Sequence, residues 1–213
     1  MHFLSPALEN YITAHSEKEP LILQELTRET HLKVVRPRML TGHHQGRVLS
    51  TLSKLIRPKR ILEIGTYTGY ATICLAEGLA QDGILHTIDV NPELVAMQKK
   101  YFDMCSWTKQ IVTHLGDAID IIPSLEDHFD LIFIDADKTQ YDAYFEASIK
   151  KCQMGSVILS DNVLWSGKVV EPLSKNDKST QALLRYNRKL ADDQRVETVL
   201  LPIRDGLTLC RVL

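Results

Sequence analysis

Two short apolar segments in the second half of the chain each end in side chains that carry oxygen. The segment 129–134 runs into Asp135, and the segment 157–160 runs into Asp161 and Asn162. If these segments are adjacent strands of a parallel sheet, about 4.8 Å apart, the three side chains meet at one edge of that sheet. Two carboxylates and an amide oxygen suit a hard divalent cation, Mg²⁺ first, with Mn²⁺ or Ca²⁺ as alternatives. The spacing therefore predicts a metal site at Asp135, Asp161 and Asn162.

A lysine lies three residues after the first of these carboxylates. Lys138 stands where a helix is predicted to begin, and a positive charge there opposes the helix dipole. That mild local cost suggests a chemical role beside Asp135. The alternative is a solvated surface lysine that pairs with Asp137 or Asp142.

An earlier apolar segment, 60–64, leads into a turn that contains Gly65 and Gly69. Glycine at a strand-to-helix turn lets the backbone approach a ligand closely. The dinucleotide-binding pattern requires a further glycine, which admits the pyrophosphate, where this chain has Tyr67, so NAD binding is disfavoured. The acidic Glu63 before the turn suits a cationic or hydroxyl-bearing ligand better than a phosphate. An ordinary tight turn between a strand and a helix is the alternative.

Two more predicted strands end at the same edge of the sheet. The segment 84–89 ends at Asp89, where a carboxylate is placed to hold both hydroxyls of a ribose. A helix N-cap is the alternative for Asp89, but Asn91 fills that position better. The segment 110–115 leads to Ala118 at the same edge. Together, these strand ends suit a nucleoside-type ligand that has no phosphate.

A sheet is needed to bring these residues together. From residue 60 onward, short apolar segments alternate with helical stretches at 70–80, 92–105, 138–152 and 178–191. Such alternation predicts βαβ units and a parallel sheet with helices on both faces. Near the C-terminus, 195–201 and 207–213 are joined by only five residues, which is enough for an antiparallel hairpin but too short for a parallel crossover. The predicted fold class is α/β, mostly parallel, with one C-terminal antiparallel hairpin.

The first part of the chain is helical in pattern, because its apolar residues recur at helical spacing. A length of 213 residues suits one domain with a sizeable core. We therefore expect a single domain over 1–213, made of a helical N-terminal cap over 1–57 and an α/β core over 58–213.

Composition and charge exclude several classes of protein. The formal net charge is −2, from 25 Lys+Arg against 27 Asp+Glu, and no basic block announces nucleic-acid binding. No apolar segment approaches the roughly 18–20 residues of a membrane span, and the first residues lack the pattern of a signal peptide. The four cysteines are far apart, which favours buried thiols in a reducing compartment. We expect a cytoplasmic protein without a membrane partner.

Four segments of the chain together resemble the cation-dependent O-methyltransferases that use S-adenosylmethionine, in the catechol and caffeoyl-CoA O-methyltransferase-like branch with its bacterial members. These segments are 63–70, 134–138, 161–169 and 205–206, in this order and spacing. The resemblance implies a Rossmann-like class I methyltransferase sheet. It also implies transfer of a methyl group to a hydroxyl of a small catechol-like or related phenolic acceptor held on a divalent metal.

The same resemblance implies a role for each matching position. Asp135, Asp161 and Asn162 match the metal ligands. Lys138, with Asp135, matches the catalytic position and either takes the proton of the acceptor or stabilises the phenolate. Trp165 and Ser166 fall at the acceptor, although Ser166 departs from the asparagine of plant members and Trp165 is as well explained by core packing. The positions implied at the cofactor are Met39, Thr41, Glu63, Gly65, Tyr67, Gly69, Ala71, Asp89, Ala118, Asp135 and Asp137.

Two alternatives remain open at this point. A branch of the family methylates a hydroxylated uridine in tRNA, and a basic patch beside the site would favour it; the candidates are Arg36, Arg38, Lys54, Arg57, Lys59 and Arg60. The other alternative is a non-catalytic dimer that only binds S-adenosylmethionine, which the full set of metal and lysine positions disfavours. In this family the N-terminal region often packs across a dimer interface, so the resemblance also implies a homodimer.

Overall fold

The computed structural model describes residues 5–213, and its centre is one seven-stranded sheet with the strand order β3-β2-β1-β4-β5-β7-β6. β1 to β5 pair in parallel, and β7 runs antiparallel to both β5 and β6. The predicted α/β fold with a C-terminal hairpin is therefore confirmed. The strands are β1 (Arg60–Ile64), β2 (Ile84–Asp89), β3 (Ile111–Leu115), β4 (Phe129–Ile134), β5 (Cys152–Asp161), β6 (Val196–Leu201) and β7 (Leu207–Val212).

Helices flank the sheet, and the first three precede β1. The helices are α1 (Pro6–Ala14), α2 (Leu21–Lys33), α3 (His43–Ile56), α4 (Tyr70–Ala76), α5 (Val95–Asp103), α6 (Ala118–Ile121), α7 (Tyr141–Ile149) and α8 (Lys178–Asp192). Short 3₁₀ turns lie at 37–39, 92–94, 108–110, 122–124, 138–140 and 165–170. Within residues 5–213, none of these helices combines the length and the apolar character that crossing a membrane requires.

Two predicted boundaries differ from the structure for local reasons. The stretch predicted as one helix over 138–152 is a 3₁₀ turn followed by α7, because Asp137 caps the turn through a hydrogen bond from Thr139 N to its Oδ1. β5 begins five residues earlier than predicted. Its first residue, Cys152, pairs with Phe129 before an irregularity shifts the register to Leu131 opposite Val157. Polar residues at the start of β5 hid this extension in the sequence.

The core lies on both faces of the sheet, which explains why the central strands are continuously apolar. In β4, Ile132 and Ile134 belong to the cluster that packs against α7 and α8. Leu131 and Phe133 alternate with them and belong to the cluster that packs against α3 and α4. This double burial fixes the strand register, since a slip by one residue would exchange the two faces.

The C-terminal hairpin brings its turn to the edge where the parallel strands end. Because β7 is antiparallel, its first residue, Leu207, pairs with Asp161, the last residue of β5. The turn 202–206 then bonds to the chain that follows β5, through Leu164 N to Asp205 O at 2.9 Å. The hairpin thus borders the predicted site.

Candidate functional site

A cavity of about 990 Å³ opens at the carboxyl ends of the parallel strands. A crevice in this position is where open α/β sheets bind ligands. Seven of the positions predicted for the cofactor line it, namely Met39, Gly65, Tyr67, Asp89, Ala118, Asp135 and Asp137. Thr41, Glu63, Gly69 and Ala71 are buried and are not part of its lining.

The turn after β1 requires glycine at its first position. Gly65 has a φ of +102°, and a Cβ added there would lie 2.1 Å from the carbonyl oxygen of Asp135. The close approach follows from the pairing of β1 with β4, since Asp135 N donates to Ile64 O at 2.8 Å. This glycine therefore lets the ends of two strands meet beneath the cavity.

The carboxylate of Asp89 organises the same turn. Its Oδ2 accepts from Tyr67 N at 2.6 Å, and its Oδ1 accepts from Asn91 N at 2.8 Å. Asn91 performs the capping role, because its own Oδ1 accepts from Glu93 N. A carboxylate offers about four lone-pair sites, so Asp89 keeps capacity to accept hydroxyl groups from a ligand in the cavity.

Glu63 lies below the turn and is fully buried. Its Oε2 accepts from the hydroxyls of Thr72, at 2.5 Å, and Thr87, at 2.6 Å, whereas its Oε1 has no partner. Burial raises the pKa of Glu63 to about 8, although these two hydrogen bonds lower it. The charges of Asp135 and Asp89 add to the rise. The structure therefore holds a buried carboxyl oxygen without a hydrogen-bond partner in the residue before Ile64, which lines the cavity.

Lys138 is buried, not a solvated surface lysine. Its Nζ lies 2.7 Å from Asp135 Oδ1 and 2.7 Å from the hydroxyl of Tyr141. The hydroxyl of Tyr141 in turn donates to Asp161 O at 2.9 Å. Asp142, an alternative partner in sequence, pairs with Lys189 instead. The ammonium is thus fixed between the ends of β4 and β5.

Asp161 is fully buried at the end of β5. Its Oδ1 accepts from Asn162 N at 2.7 Å, and its Oδ2 has no hydrogen-bond partner. Burial and the charge of Asp135 raise the pKa of Asp161 to about 7, while Lys138, Arg204 and the neighbouring Gln45 lower it. The Gln45 amide approaches Asp161 without hydrogen-bonding geometry, since its Nε2 is also unpartnered.

The three predicted metal ligands therefore lie on two adjacent strand ends, as the pairing of Ile134 with Ser160 requires. Within residues 5–213, no three His, Cys, Asp or Glu side chains form a group that could hold a metal ion. The predicted set accordingly depends on the amide of Asn162 as well as on two carboxylates.

The segment after Asp161 is strained. Asn162, Trp165 and Ser166 have φ values of +58°, +48° and +54°, a region that non-glycine residues seldom adopt. Trp165 packs against the core with its indole N–H buried and unpartnered, and Ser166 is exposed, with its N donating to Asp205 Oδ1. Strained backbone held by its surroundings clusters at functional sites.

The predicted basic patch is divided in the structure. Arg36 lines the cavity, and the carbonyl of Arg38 accepts from Arg204. Lys59 and Arg60 lie at the opposite end of β1, paired with Asp82 and Asp127, and Lys54 pairs with Glu77. These residues do not form one continuous basic surface beside the site, because β1 separates them.

A model of the O-methyltransferase family matches residues 13–213. The chain belongs to the O-methyltransferase family. It is 35% identical over 185 residues to a catechol O-methyltransferase of Niastella koreensis, with 83% of each chain covered. It is also 35% identical over 223 residues to caffeoyl-CoA O-methyltransferase 1 of Zea mays, covering 97% of this chain and 85% of that one.

Solved structures extend the family likeness to the whole fold. An O-methyltransferase of Bacillus cereus, in complex with SAH, superposes with a TM-score of 0.90 at 29% identity and 97% coverage of both chains. TomG of Streptomyces achromogenes, an O-methyltransferase in complex with SAM, superposes with a TM-score of 0.89 at 29% identity, covering 97% of this chain and 96% of that one. Class I methyltransferases therefore share this sheet.

Three residues at the site of this O-methyltransferase escaped sequence reasoning. Tyr141 appears in the sequence as part of an apolar helix face, although its position three residues after Lys138 puts both on one side of the helix. Gln45 and Arg204 reach the site from segments 159 residues apart, and no local pattern marks them.

Proposed function

We propose that this O-methyltransferase transfers the methyl group of S-adenosylmethionine to a hydroxyl of a small catechol-like phenolic acceptor, with the help of a divalent cation. The observation that carries the proposal is the fully buried Asp161, whose Oδ2 has no partner, beside the ion pair of Lys138 and Asp135. An unpartnered buried carboxylate oxygen is costly unless something pairs with it.

The cavity supports S-adenosylmethionine as the methyl donor. Two structural relatives were solved with SAM or SAH. We propose that Asp89 accepts the ribose hydroxyls, that Ala118 borders the adenine, and that Asp137 faces the amino group. Gly65 and Tyr67 would border the methionine end, with Met39 above it. Glu63 would influence the cofactor without touching it, since it does not line the cavity.

Asp135, Asp161 and Asn162 fit a divalent cation chemically. They supply two carboxylates and an amide oxygen, which are the ligands that Mg²⁺ prefers. The unpartnered Oδ2 of Asp161 gives that carboxylate a free position to bind. When bound, such a cation lowers the pKa of a phenol and orients it.

Lys138 would serve the reacting oxygen of the acceptor. Transfer breaks the bond between sulfur and the methyl carbon and forms a bond from that carbon to the acceptor oxygen, whose proton must leave. The ammonium, held by Asp135 and Tyr141, is placed to stabilise the phenolate, which is preorganised electrostatic stabilisation. If Lys138 is neutral when the acceptor binds, it takes the proton instead.

We propose that the domain spans 1–213, with the helices over 1–57 as a cap on the core. The family model supports this extent, because its match begins at residue 13, within α1. The free cysteines support a reducing compartment such as the cytoplasm.

The decisive experiment is a methyl-transfer assay with radiolabelled S-adenosylmethionine. Catechol, a caffeoyl ester and tRNA are compared with Mg²⁺ and with a chelator. We expect transfer to the phenols, lost with the chelator. Calorimetry of Mg²⁺ binding gives a second readout, in which Asp161→Asn should lose the metal but keep SAH affinity.

Two lysine variants complete the assay. Lys138→Met should slow transfer by about 10²–10⁴-fold, whereas Lys189→Met, whose lysine pairs with Asp142 and Glu146 away from the cavity, should leave it unchanged. Transfer that is unaffected by the chelator would overturn the metal proposal, and transfer to tRNA alone would overturn the phenolic acceptor.

A further inference from the structure

Arg204 lies in the turn between β6 and β7, at the same edge of the sheet as Asp161. Two backbone hydrogen bonds, Val163 N to Gly206 O and Leu164 N to Asp205 O, fix this turn against the segment that follows Asp161. Arg204 itself has a left-handed φ of +50°. Its backbone is therefore held in a conformation that arginine rarely adopts.

The side chain of Arg204 reaches from this turn toward the loop before α3 and toward the first turn of α3. Its Nη2 donates to Arg38 O at 3.1 Å, and its Nη1 lies 3.5 Å from Gln45 Oε1. Gln45 lies in the first turn of α3, and the turn that holds Arg204 is bonded to the segment that follows Asp161. The guanidinium thus stands at the outer side of the proposed reaction centre.

No carboxylate of the described residues lies within ion-pair distance of Arg204. Among residues 5–213, Arg204, Arg36 and Arg38 form no ion pair. The neighbouring lysines differ: Lys33 and Lys100, which line the cavity, both pair with Glu29, and Lys138 pairs with Asp135.

Three exposed guanidinium groups therefore remain on the two segments that border the site, the loop 34–42 and the turn 202–206. Arginine presents a planar fork of donors that matches a carboxylate or a phosphate. Arg204 has a neutral carbonyl and a neutral amide as its partners, so an anion would be a stronger acceptor than either.

We infer that Arg204 binds an anionic group, a carboxylate or a phosphate, on the phenolic acceptor, so that this enzyme prefers anionic phenols to neutral ones. The inference rests on the proposed function and names the class of acceptor for it. The bond to the anion would form away from the reacting hydroxyl, so Arg204 would affect the choice of acceptor and not the chemical step.

The test compares three acceptors in the wild type and two variants. Catechol is neutral, 3,4-dihydroxybenzoate carries a carboxylate, and caffeoyl-CoA carries phosphates. Arg204→Ala removes the charge. Arg57→Ala is the matched control, because Arg57 is also exposed, has a φ of +53° and ends α3 away from the cavity. We measure kcat/KM, and acceptor Kd by calorimetry with SAH and Mg²⁺ present.

For Arg204→Ala we expect a loss of about 10- to 100-fold in kcat/KM and in affinity for the anionic acceptors, as for a lost charge-assisted hydrogen bond, and an unchanged value for catechol. A loss confined to 3,4-dihydroxybenzoate identifies a carboxylate as the ligand, and a loss confined to caffeoyl-CoA identifies a phosphate. Arg57→Ala should match the wild type throughout.

An equal loss of kcat/KM for all three acceptors would overturn the inference, because Arg204 would then act on the negative charge of Asp161 and not on the acceptor. No loss for any acceptor would overturn it as well. The calorimetry separates this inference from the proposed function. If no phenol is methylated while the wild type still binds the anionic acceptors through Arg204, the proposed reaction fails and the anion site stands.

Discussion

The ammonium nitrogen of Lys138 lies 2.7 Å from the hydroxyl oxygen of Tyr141. The hydroxyl lies 2.9 Å from Asp161 O and 3.3 Å from Ile134 O, and because both are acceptors it donates to them and accepts from the lysine. Tyr141 therefore links the proposed reacting lysine to the end of β5. Its ring is fully buried and packs edge-on against Tyr186.

We predict that Tyr141→Phe lowers kcat about tenfold while leaving KM for both substrates unchanged. The phenyl ring keeps the packing, but Lys138 loses one of two groups that orient it, and small displacements of catalytic groups are costly. Steady-state kinetics on a catechol measure both constants.

Tyr186→Phe is the matched control for this variant. Tyr186 is equally buried and loses a hydroxyl bonded to Ser160, not to Lys138, so its kcat should equal that of the wild type. In a Lys138→Met background, Tyr141→Phe should have no further effect. A further tenfold loss there would show that Tyr141 acts independently of the lysine.

Asp89→Ala should weaken SAH binding by tenfold or more, because each lost hydrogen bond to a carboxylate is worth about 1.5–3 kcal/mol. It should also lower the free energy of unfolding, since Tyr67 N and Asn91 N lose their acceptor. Calorimetry and denaturant unfolding measure the two effects.

Asp177→Ala separates these two effects. Asp177 accepts from Thr180 N as the cap of α8, outside the lining of the cavity. This variant should therefore lose stability and keep its SAH affinity. Equal affinity in both variants would remove Asp89 from the cofactor site.

Glu63 should make stability depend on pH. Burial raises its pKa from 4.5 to about 8, so the folded state holds a proton that the unfolded state has lost. The stabilisation is complete below about pH 4.5 and is lost as the pH rises through 8, by up to about 1.4 kcal/mol for each pH unit between them. Glu63→Gln removes this titration.

The measurement is the free energy of unfolding of the wild type and Glu63→Gln at pH 5, 6, 7 and 8. As the pH rises, the free energy of unfolding of the wild type should fall relative to that of Glu63→Gln. Glu126→Gln alters an exposed glutamate and should follow the wild type. Parallel curves for wild type and Glu63→Gln would show that Glu63 is ionised in the folded protein.

Gly65→Ala should destabilise the protein by about 2–4 kcal/mol, from an overpacked contact and a strained φ together. The added Cβ would meet Asp135 O at 2.1 Å, so SAH binding should fall too. Gly155 has a similar φ of +91°, but a Cβ added there would meet nothing within 4 Å. Gly155→Ala should therefore lower the free energy of unfolding only through backbone strain, by about 1 kcal/mol. Thermal unfolding and calorimetry compare the two.

The sequence predicted the sheet well because its signals are local. The five parallel strands are short apolar runs, and the five-residue connection at the hairpin permits only an antiparallel return. The neighbouring positions of β4 and β5, on which the predicted meeting of Asp135 with Asp161 depends, are observed. The roles of those residues stay predictions.

What the sequence did not predict depends on distant contacts. The burial of Lys138 follows from Tyr141 and from the end of β5 together, and a lysine in sequence carries no sign of it. Gln45 and Arg204 meet only because the turn of the last hairpin returns to the first turn of α3. The unsatisfied oxygens of Glu63 and Asp161 likewise arise from packing.

The position of β7 constrains the order in which this fold is completed during synthesis. β7 is the last strand in chain order, yet it lies between β5 and β6. On the ribosome, β1 to β5 emerge first, and β5 then has an open edge until β7 begins, 46 residues after β5 ends. Asp161 pairs with the first residue of β7. The end of β5 that carries Asp161 therefore keeps an unpaired edge until the last strand has been made, and an unpaired strand edge is where pairing with another chain, and so aggregation, begins.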